Sequence, residues 1–251
     1  DLLGDLLVER GFAGARVEAV LPATACQCRL VRWPEGCWPE APQRLLARHE
    51  ATLQLRGALS SLDLQLMPLA LAQPTSLALA VSSQLLERWI AVFSQAGLSL
   101  VRMEAAQLCL CRALGTWPSA PGRGSGIALL QMDALACSLL MVEQGVPCYE
   151  RNLPGLEQGA DLEQALQRTL QFWRQQRPGG DAPLLLCHGS AVPERERLNA
   201  LAAALELTVQ VLDPLAEGCL QAAPPHEGPP WPPGSALLPL WGLLAAEAVG
   251  S

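Results

Sequence analysis

Between residues 127 and 190 the apolar positions change period in an order that predicts strand, strand, strand, helix, strand and then a glycine turn. Apolar runs over 127–132, 138–142 and 146–153 are strand-length, and Glu143-Gln144-Gly145 supplies a tight turn between the last two. Leu162, Ala165, Leu166, Thr169, Leu170 and Trp173 recur at helical spacing, and 184–188 is a continuous apolar run of the kind a sheet buries on both faces. Beyond it, 194–205 carries helical teeth at Leu198, Leu201, Ala202 and Leu205. A strand over 209–212, a proline-rich loop over 222–234 and an apolar helix over 237–249 complete the second half.

The first half is patterned differently. Residues 1–12 read as an amphipathic helix with Leu2, Leu3, Leu6, Leu7 and Val8 on one side and Gly11 as its stop. A strand over 17–21 closes at Pro22, and a second strand follows over 27–32. Then come a Trp/Pro/Gly-rich loop over 33–42, a helix over 43–55, and an alternating strand with Leu62, Leu64 and Leu66 on one face. A strand over 77–81 leads into a helix with Leu85, Leu86, Trp89, Ile90 and Phe93, which Gly97 ends. A strand over 98–103 and a helix over 104–114 close the half. The order predicts a β-α-β-β-α-β unit of about residues 22–100 inserted in a first lobe, 1–117. Residues 118–126, dense in Pro, Gly and Ser, read as a linker, and 127–251 as the second lobe of a mixed α/β (α+β) chain.

Composition narrows the chemistry. Half the residues are apolar and 16% charged, so the 251-residue chain can bury a substantial core. All 17 basic residues are arginine, which excludes a lysine that grips phosphate or forms a Schiff base. A net charge of −7 opposes a nucleic-acid partner. The 9 cysteines include two close pairs, Cys26/Cys28 and Cys109/Cys111, but lack the paired spacing of a zinc site. Most lie in apolar runs, where a free thiol packs as a small hydrophobe, and this fits a reducing, cytoplasmic setting. No signal peptide is visible, and the apolar segment 236–249 is too short for a bilayer, which needs about 20 residues. His49, His188 and His226 fall on unrelated elements. Ser190 follows His188-Gly189 without the Gly-x-Ser-x-Gly frame of a nucleophile turn. A two-metal nuclease needs carboxylates clustered on the sheet, but Gln131 holds the first-strand position such enzymes reserve for Asp. Asp133, Glu150 and Asp213 are the acids near strand ends, and solvation is the plain role expected of each. No catalytic residue and no metal site is expected.

Five segments, taken in order, resemble the PilM family, actin-like proteins of type IV pilus assembly related to the division protein FtsA. They are 19–36, with strands ending in Leu-Pro and Trp-Pro, and 77–114, with its helix, Ala-Gly-Leu break, strand and helix. The others are 139–155, a hairpin closing on Arg and Pro, 184–214, and the glycine-containing helix 237–249. The resemblance implies an actin-like, ribonuclease-H-like two-lobed fold, a cytoplasmic place beside the inner membrane, and a PilN-like bitopic partner. That partner's N-terminal peptide would lie in a groove of the first lobe bordered here by Leu21, Pro22, Arg29, Val31, Arg102 and Glu104. Both arginines also have the plain reading of solvated strand-edge residues. Self-association is compatible with such a scaffold.

The chain departs from the family's nucleotide chemistry at three places. The family's opening phosphate hairpin has no counterpart. Its second phosphate loop, Asp-x-Gly after a strand, is replaced by Gln131-Met132-Asp133, so the acid is lost and a carboxylate stands where glycine admits phosphate. The adenosine-side glycine pair is reduced to His188-Gly189, followed by Ser190, and Gly189 alone also suits a strand-to-helix turn. The expectation is therefore a non-catalytic scaffold with no cofactor, ATP and Mg²⁺ being disfavoured. The competing readings are an actin-like ATPase with non-standard phosphate loops and the cytoplasmic domain of a type II secretion L-type protein.

Overall fold

A computed structural model describes residues 2–9, 11–34, 53, 55–69, 73–117, 126–133, 136–155, 159–175, 184–221 and 232–249. The expected helix over 43–55 (apart from Leu53 and Leu55), the linker 118–126 up to Gly126 and most of the loop 222–234 lie outside the described residues. The chain forms two compact units, residues 1–106 and 107–251.

In the first unit, helix α1 (Leu2–Glu9) precedes strand β1 (Arg16–Leu21), and β2 (Cys26–Arg32), β3 (Leu62–Leu69) and β4 (Thr75–Ser82) follow. Helix α2 (Ser83–Gln95) then leads to β5 (Ser99–Ala105). β2, β4 and β3 make an antiparallel sheet with β4 at its centre. The central position suits the uninterrupted apolar run of β4, which is buried along most of its length. One face gathers Val31, Trp33, Leu53 and Ala78 into a small core, and the buried Trp33 Nε1 donates to Ser76 Oγ at 2.9 Å. The expected β-α-β-β-α-β order holds for its described elements, but its last strand does not join this sheet. β5 pairs in parallel with β1 instead, in a separate two-stranded sheet.

The second unit carries the five-stranded order β10-β9-β6-β7-β8. β6 (Ile127–Met132), β7 (Ala136–Glu143) and β8 (Val146–Pro154) run antiparallel as expected. β9 (Leu184–His188) pairs in parallel with β6, and β10 (Val209–Val211) in parallel with β9. The hairpin turn puts Gln144 at φ 50° and Gly145 at φ 77°, the left-handed pair that suits the twist of the flanking strands.

Because side chains alternate across a strand, the sheet separates its apolar residues into two layers. Ala128, Leu130, Leu139, Met141, Leu185 and Cys187 face one side, where helix α4 (Gly159–Gln175) inserts Leu162, Leu166, Leu170 and Trp173. Helix α5 (Arg195–Leu205) adds Leu198 and Leu205 to that layer. Leu129, Leu140, Val142 and Leu186 face the other side, against Leu110, Ala113 and Leu114 of helix α3 (Ala106–Thr116) and Leu238 of helix α6 (Leu238–Val249). This corrects the expected lobe boundary. The helix predicted over 104–114 as the end of the first lobe starts at Ala106, and its apolar face belongs to the second unit's core. α3 and α6 meet backbone to backbone: a Cβ at Gly242 would collide with the Cys109 carbonyl, and Arg112 Nη1 donates to the Gly242 carbonyl at 2.8 Å. No described helix is long and apolar enough to cross a membrane.

Candidate functional site

The loop residues singled out in the sequence converge at one end of the five-stranded sheet. Gln131 is the register partner of both His188 on β9 and Ser138 on β7, so the three form a polar row on one face. The chain leaves β6 at Asp133, and its carboxylate collects donors from two segments. Gln131 Nε2 donates to Oδ2 at 2.6 Å, while the Ser190 amide and hydroxyl donate to Oδ1 at 2.9 and 2.5 Å. Ser138 Oγ lies 3.5 Å from Gln131 Oε1 and holds the amide's orientation. Burial by itself would raise the Asp133 pKa. The Ser190 and Gln131 hydrogen bonds outweigh it, with a contribution from His188, and the carboxyl is held below its ordinary value. Ser190 is thus committed as a donor to a carboxylate, and no hydrogen bond joins it to a histidine among the described residues.

The turn after β9 needs glycine for a specific reason. Gly189 sits at φ 128°, and a Cβ there would run into the Met132 backbone, 2.8 Å from its nitrogen and closer still to its oxygen. The close approach lets the Ala191 amide donate to the Met132 carbonyl at 3.0 Å. The other flank is tied to the segment before α6, where the Gly189 amide donates to the Ser235 carbonyl at 3.2 Å and Ser235 Oγ returns to the Gly189 carbonyl at 2.9 Å. Sequence reasoning missed Ser138, whose partner Gln131 lies across the β6–β7 pairing, and Ser235, because nothing local marks a serine whose partner is 46 residues away.

His188 is buried, and its Nε2 has no hydrogen-bond partner among the described residues. Desolvation pushes its pKa down to about 4, against a smaller upward pull from Asp133, so the ring is neutral at neutral pH. The two remaining acids are half-buried and carry protein hydrogen bonds as well as solvent exposure. Asp213 Oδ1 accepts the Leu215 and Ala216 amides at 2.9 and 3.1 Å, and Glu150 Oε1 accepts from Gln107 Nε2 at 2.9 Å. Among the described residues no three His, Cys, Asp or Glu side chains are placed to hold a metal ion. The donors at this end of the sheet already serve an internal carboxylate, and a polyphosphate here would face that negative charge.

The six residues expected to border a groove are distributed over the strands of both sheets of the first unit and the segment after β1. Leu21 ends β1, Val20 pairs with Glu104 on β5, and Glu18 pairs with Arg102. The Arg102–Glu18 ion pair is 2.7 Å long, so this guanidinium is engaged within its own sheet. Arg29 and Val31 lie on β2, and Arg29 Nη1 donates to the neighbouring Cys28 carbonyl at 2.9 Å. Two assignments change. Val31 is 1% exposed and Leu21 6%, so both are core residues that shape a surface from behind rather than form it. Pro22 is exposed, and Arg29, Arg102 and Glu104 are half-buried.

The strand order, counted from the hairpin edge as 3-2-1-4-5 with helices on both faces, is the ribonuclease-H-like arrangement of an actin-like fold. No protein-family model matches the chain, and no curated protein does. Among solved structures it is similar to a chain of the PilM–PilN type IV pilus biogenesis complex. That match has a TM-score of 0.72 at 16% identity, over 99% of this chain and 85% of that one. It is also similar to the cytoplasmic domain of EpsL, an inner-membrane component of the type II secretion system of Vibrio cholerae. Here the TM-score is 0.51 at 14% identity, over 99% of this chain and 79% of that one.

Proposed function

We propose that this protein is a non-catalytic scaffold of a type IV pilus or related secretion machine. It works at the cytoplasmic face of the inner membrane by holding the cytoplasmic N-terminal peptide of a PilN-like bitopic protein. The observation that carries the reading is the agreement of the whole chain, at a TM-score of 0.72, with a chain of a complex that pairs PilM with PilN. The internally satisfied Asp133 supports the absence of catalysis, since it occupies the donors that a nucleotide's phosphates would need.

The peptide's place is the surface around Pro22, Arg29, Arg102 and Glu104, backed by Leu21 and Val31. An extended segment laid on a strand edge gains main-chain hydrogen bonds, and side chains flanking the edge supply selectivity. Arg29 spends one hydrogen bond on a carbonyl of its own strand and keeps further donors for a carboxylate or amide. Titration calorimetry with the N-terminal peptide of the PilN-like partner tests the reading. Arg29→Glu should weaken binding about tenfold or more while far-UV circular dichroism stays unchanged. Unaltered affinity in a folded Arg29→Glu chain removes the groove, and Mg-ATP turnover abolished by Asp133→Ala removes the non-catalytic role. The EpsL match favours a second reading, the cytoplasmic domain of a type II secretion L-type protein. A membrane-spanning segment encoded downstream of Ser251 would select it.

A further inference from the structure

The geometry points to Asp133 as a built-in ligand: its carboxylate fills a preorganised oxyanion site made by Gln131 and the turn after β9, and so latches this end of the sheet shut without any bound anion. Three donors of different kinds converge on it: a side-chain amide, a backbone N–H and a hydroxyl. A backbone N–H and a hydroxyl on one oxygen, with an amide on the other, form a donor set that suits a free carboxylate or phosphate equally well. The backbone donor does not depend on Asp133 for its position, and the Gln131 amide has a second contact at Ser138 Oγ, 3.5 Å from its Oε1. Ser190 is carried by a turn fixed at Gly189 by two hydrogen bonds to Ser235, and at Ala191 by one to the Met132 carbonyl. Gln131 is fixed by its place in the middle of the polar row on β6.

A tethered carboxylate holds such a site against a free anion because its effective concentration exceeds that of a free competitor. Its charge also repels any anion that approaches. The latch joins the end of β6 to the turn after β9, two segments 57 residues apart in sequence. The hydrogen bonds from Ser190 and Gln131 hold the carboxyl below its ordinary pKa, so it is ionised at neutral pH. The inference deepens the proposed non-catalytic role and rests partly on it, but it makes a claim about one carboxylate that can fail separately.

The test is amide hydrogen exchange at Ser190 in the full chain, read in wild type, Asp133→Ala and Asp133→Asn, with acetate, phosphate or chloride at matched ionic strength. Wild-type exchange should be indifferent to all three salts. Asp133→Ala should speed exchange about 10- to 100-fold, the worth of a charge-assisted hydrogen bond, and acetate should reverse this saturably where chloride does not. Asp133→Asn retains an acceptor oxygen and should lie between the two; it carries the test if the alanine variant fails to fold. Unchanged Ser190 exchange in both variants would overturn the latch, as would saturable protection of the wild type by phosphate or acetate. Mg-ATP turnover by a wild-type chain whose Ser190 amide stays protected would overturn the scaffold reading while leaving the latch standing.

Discussion

Gly189→Ala is the substitution on which the account of the sheet end depends most. At φ 128° an alanine is strained by about 1–3 kcal/mol even where space is open. Here the added methyl also meets the Met132 backbone, whose nitrogen and carbonyl carbon lie 2.8 and 2.9 Å away, with the carbonyl oxygen nearer still. Met132 is the last residue of the central strand β6 and pairs with Cys137 on β7, so it cannot retreat without disturbing that ladder. The turn must move instead, at the expense of the Ala191–Met132 and Gly189–Ser235 hydrogen bonds, each worth about 1 kcal/mol. The combined destabilisation is about 3–5 kcal/mol, read as a shift in the urea midpoint of the tryptophan fluorescence of the second unit. Gly145→Ala is the matched control: its φ is 77° but no atom lies within 4 Å of the new methyl, so it should cost only about 1 kcal/mol. Equal losses in the two variants would refute the argument, because strain without collision would then account for both.

His188 makes stability depend on pH with a definite sign. Its folded pKa of about 4 lies below the ordinary 6.5, so the folded state favours the neutral ring. That contribution is complete above pH 6.5 and is lost as pH falls towards 4, to a total of about 3 kcal/mol at most. His188→Gln should flatten the fall in urea midpoint over that window. Asp133, whose pKa is depressed below 3.8, should add a second loss only below that value, absent in Asp133→Asn. Gly242→Ala should destabilise the second unit by several kcal/mol, because its methyl strikes the Cys109 carbonyl across the α3–α6 contact. A midpoint within experimental error of wild type would show that the helices can part. Leu166→Ala, at a fully buried position on α4, should cost about 2–5 kcal/mol, and a loss under 1 kcal/mol would contradict the packing of that layer.

The elements were legible wherever burial imposed a period. The three strands over 127–153 and the parallel strand 184–188 stand where the apolar runs put them, because a strand buried on both faces has to be apolar throughout. The same cue misled at α3. Its apolar residues predicted a helix correctly but not which core would receive them, and they pack beneath the second unit's sheet. Likewise the order β-α-β-β-α-β carried no information about partner choice, and β5 went to β1. Of the residues expected to border the groove, Val31 could not be recognised as core from β2 alone, since its burial is completed by Leu53 and by Ala78 on β4.

The sequence by itself determined the kind of the described elements, the hairpin at Gln144-Gly145, the absence of lysine and the Gln131-Met132-Asp133 end of β6. Those are properties of single positions and short windows, and local chain physics reads them directly. Tertiary structure decided what Asp133 does there. Asp133 is an unwanted charge in the sequence, yet in the fold it is a satisfied acceptor, because Ser190 and Gln131 point their donors at it and Gly189 lets the turn come close enough to do so. Hydrogen bonding is directional and short-ranged, so the meaning of a carboxylate is fixed only once distant segments of the chain are within 3 Å of it.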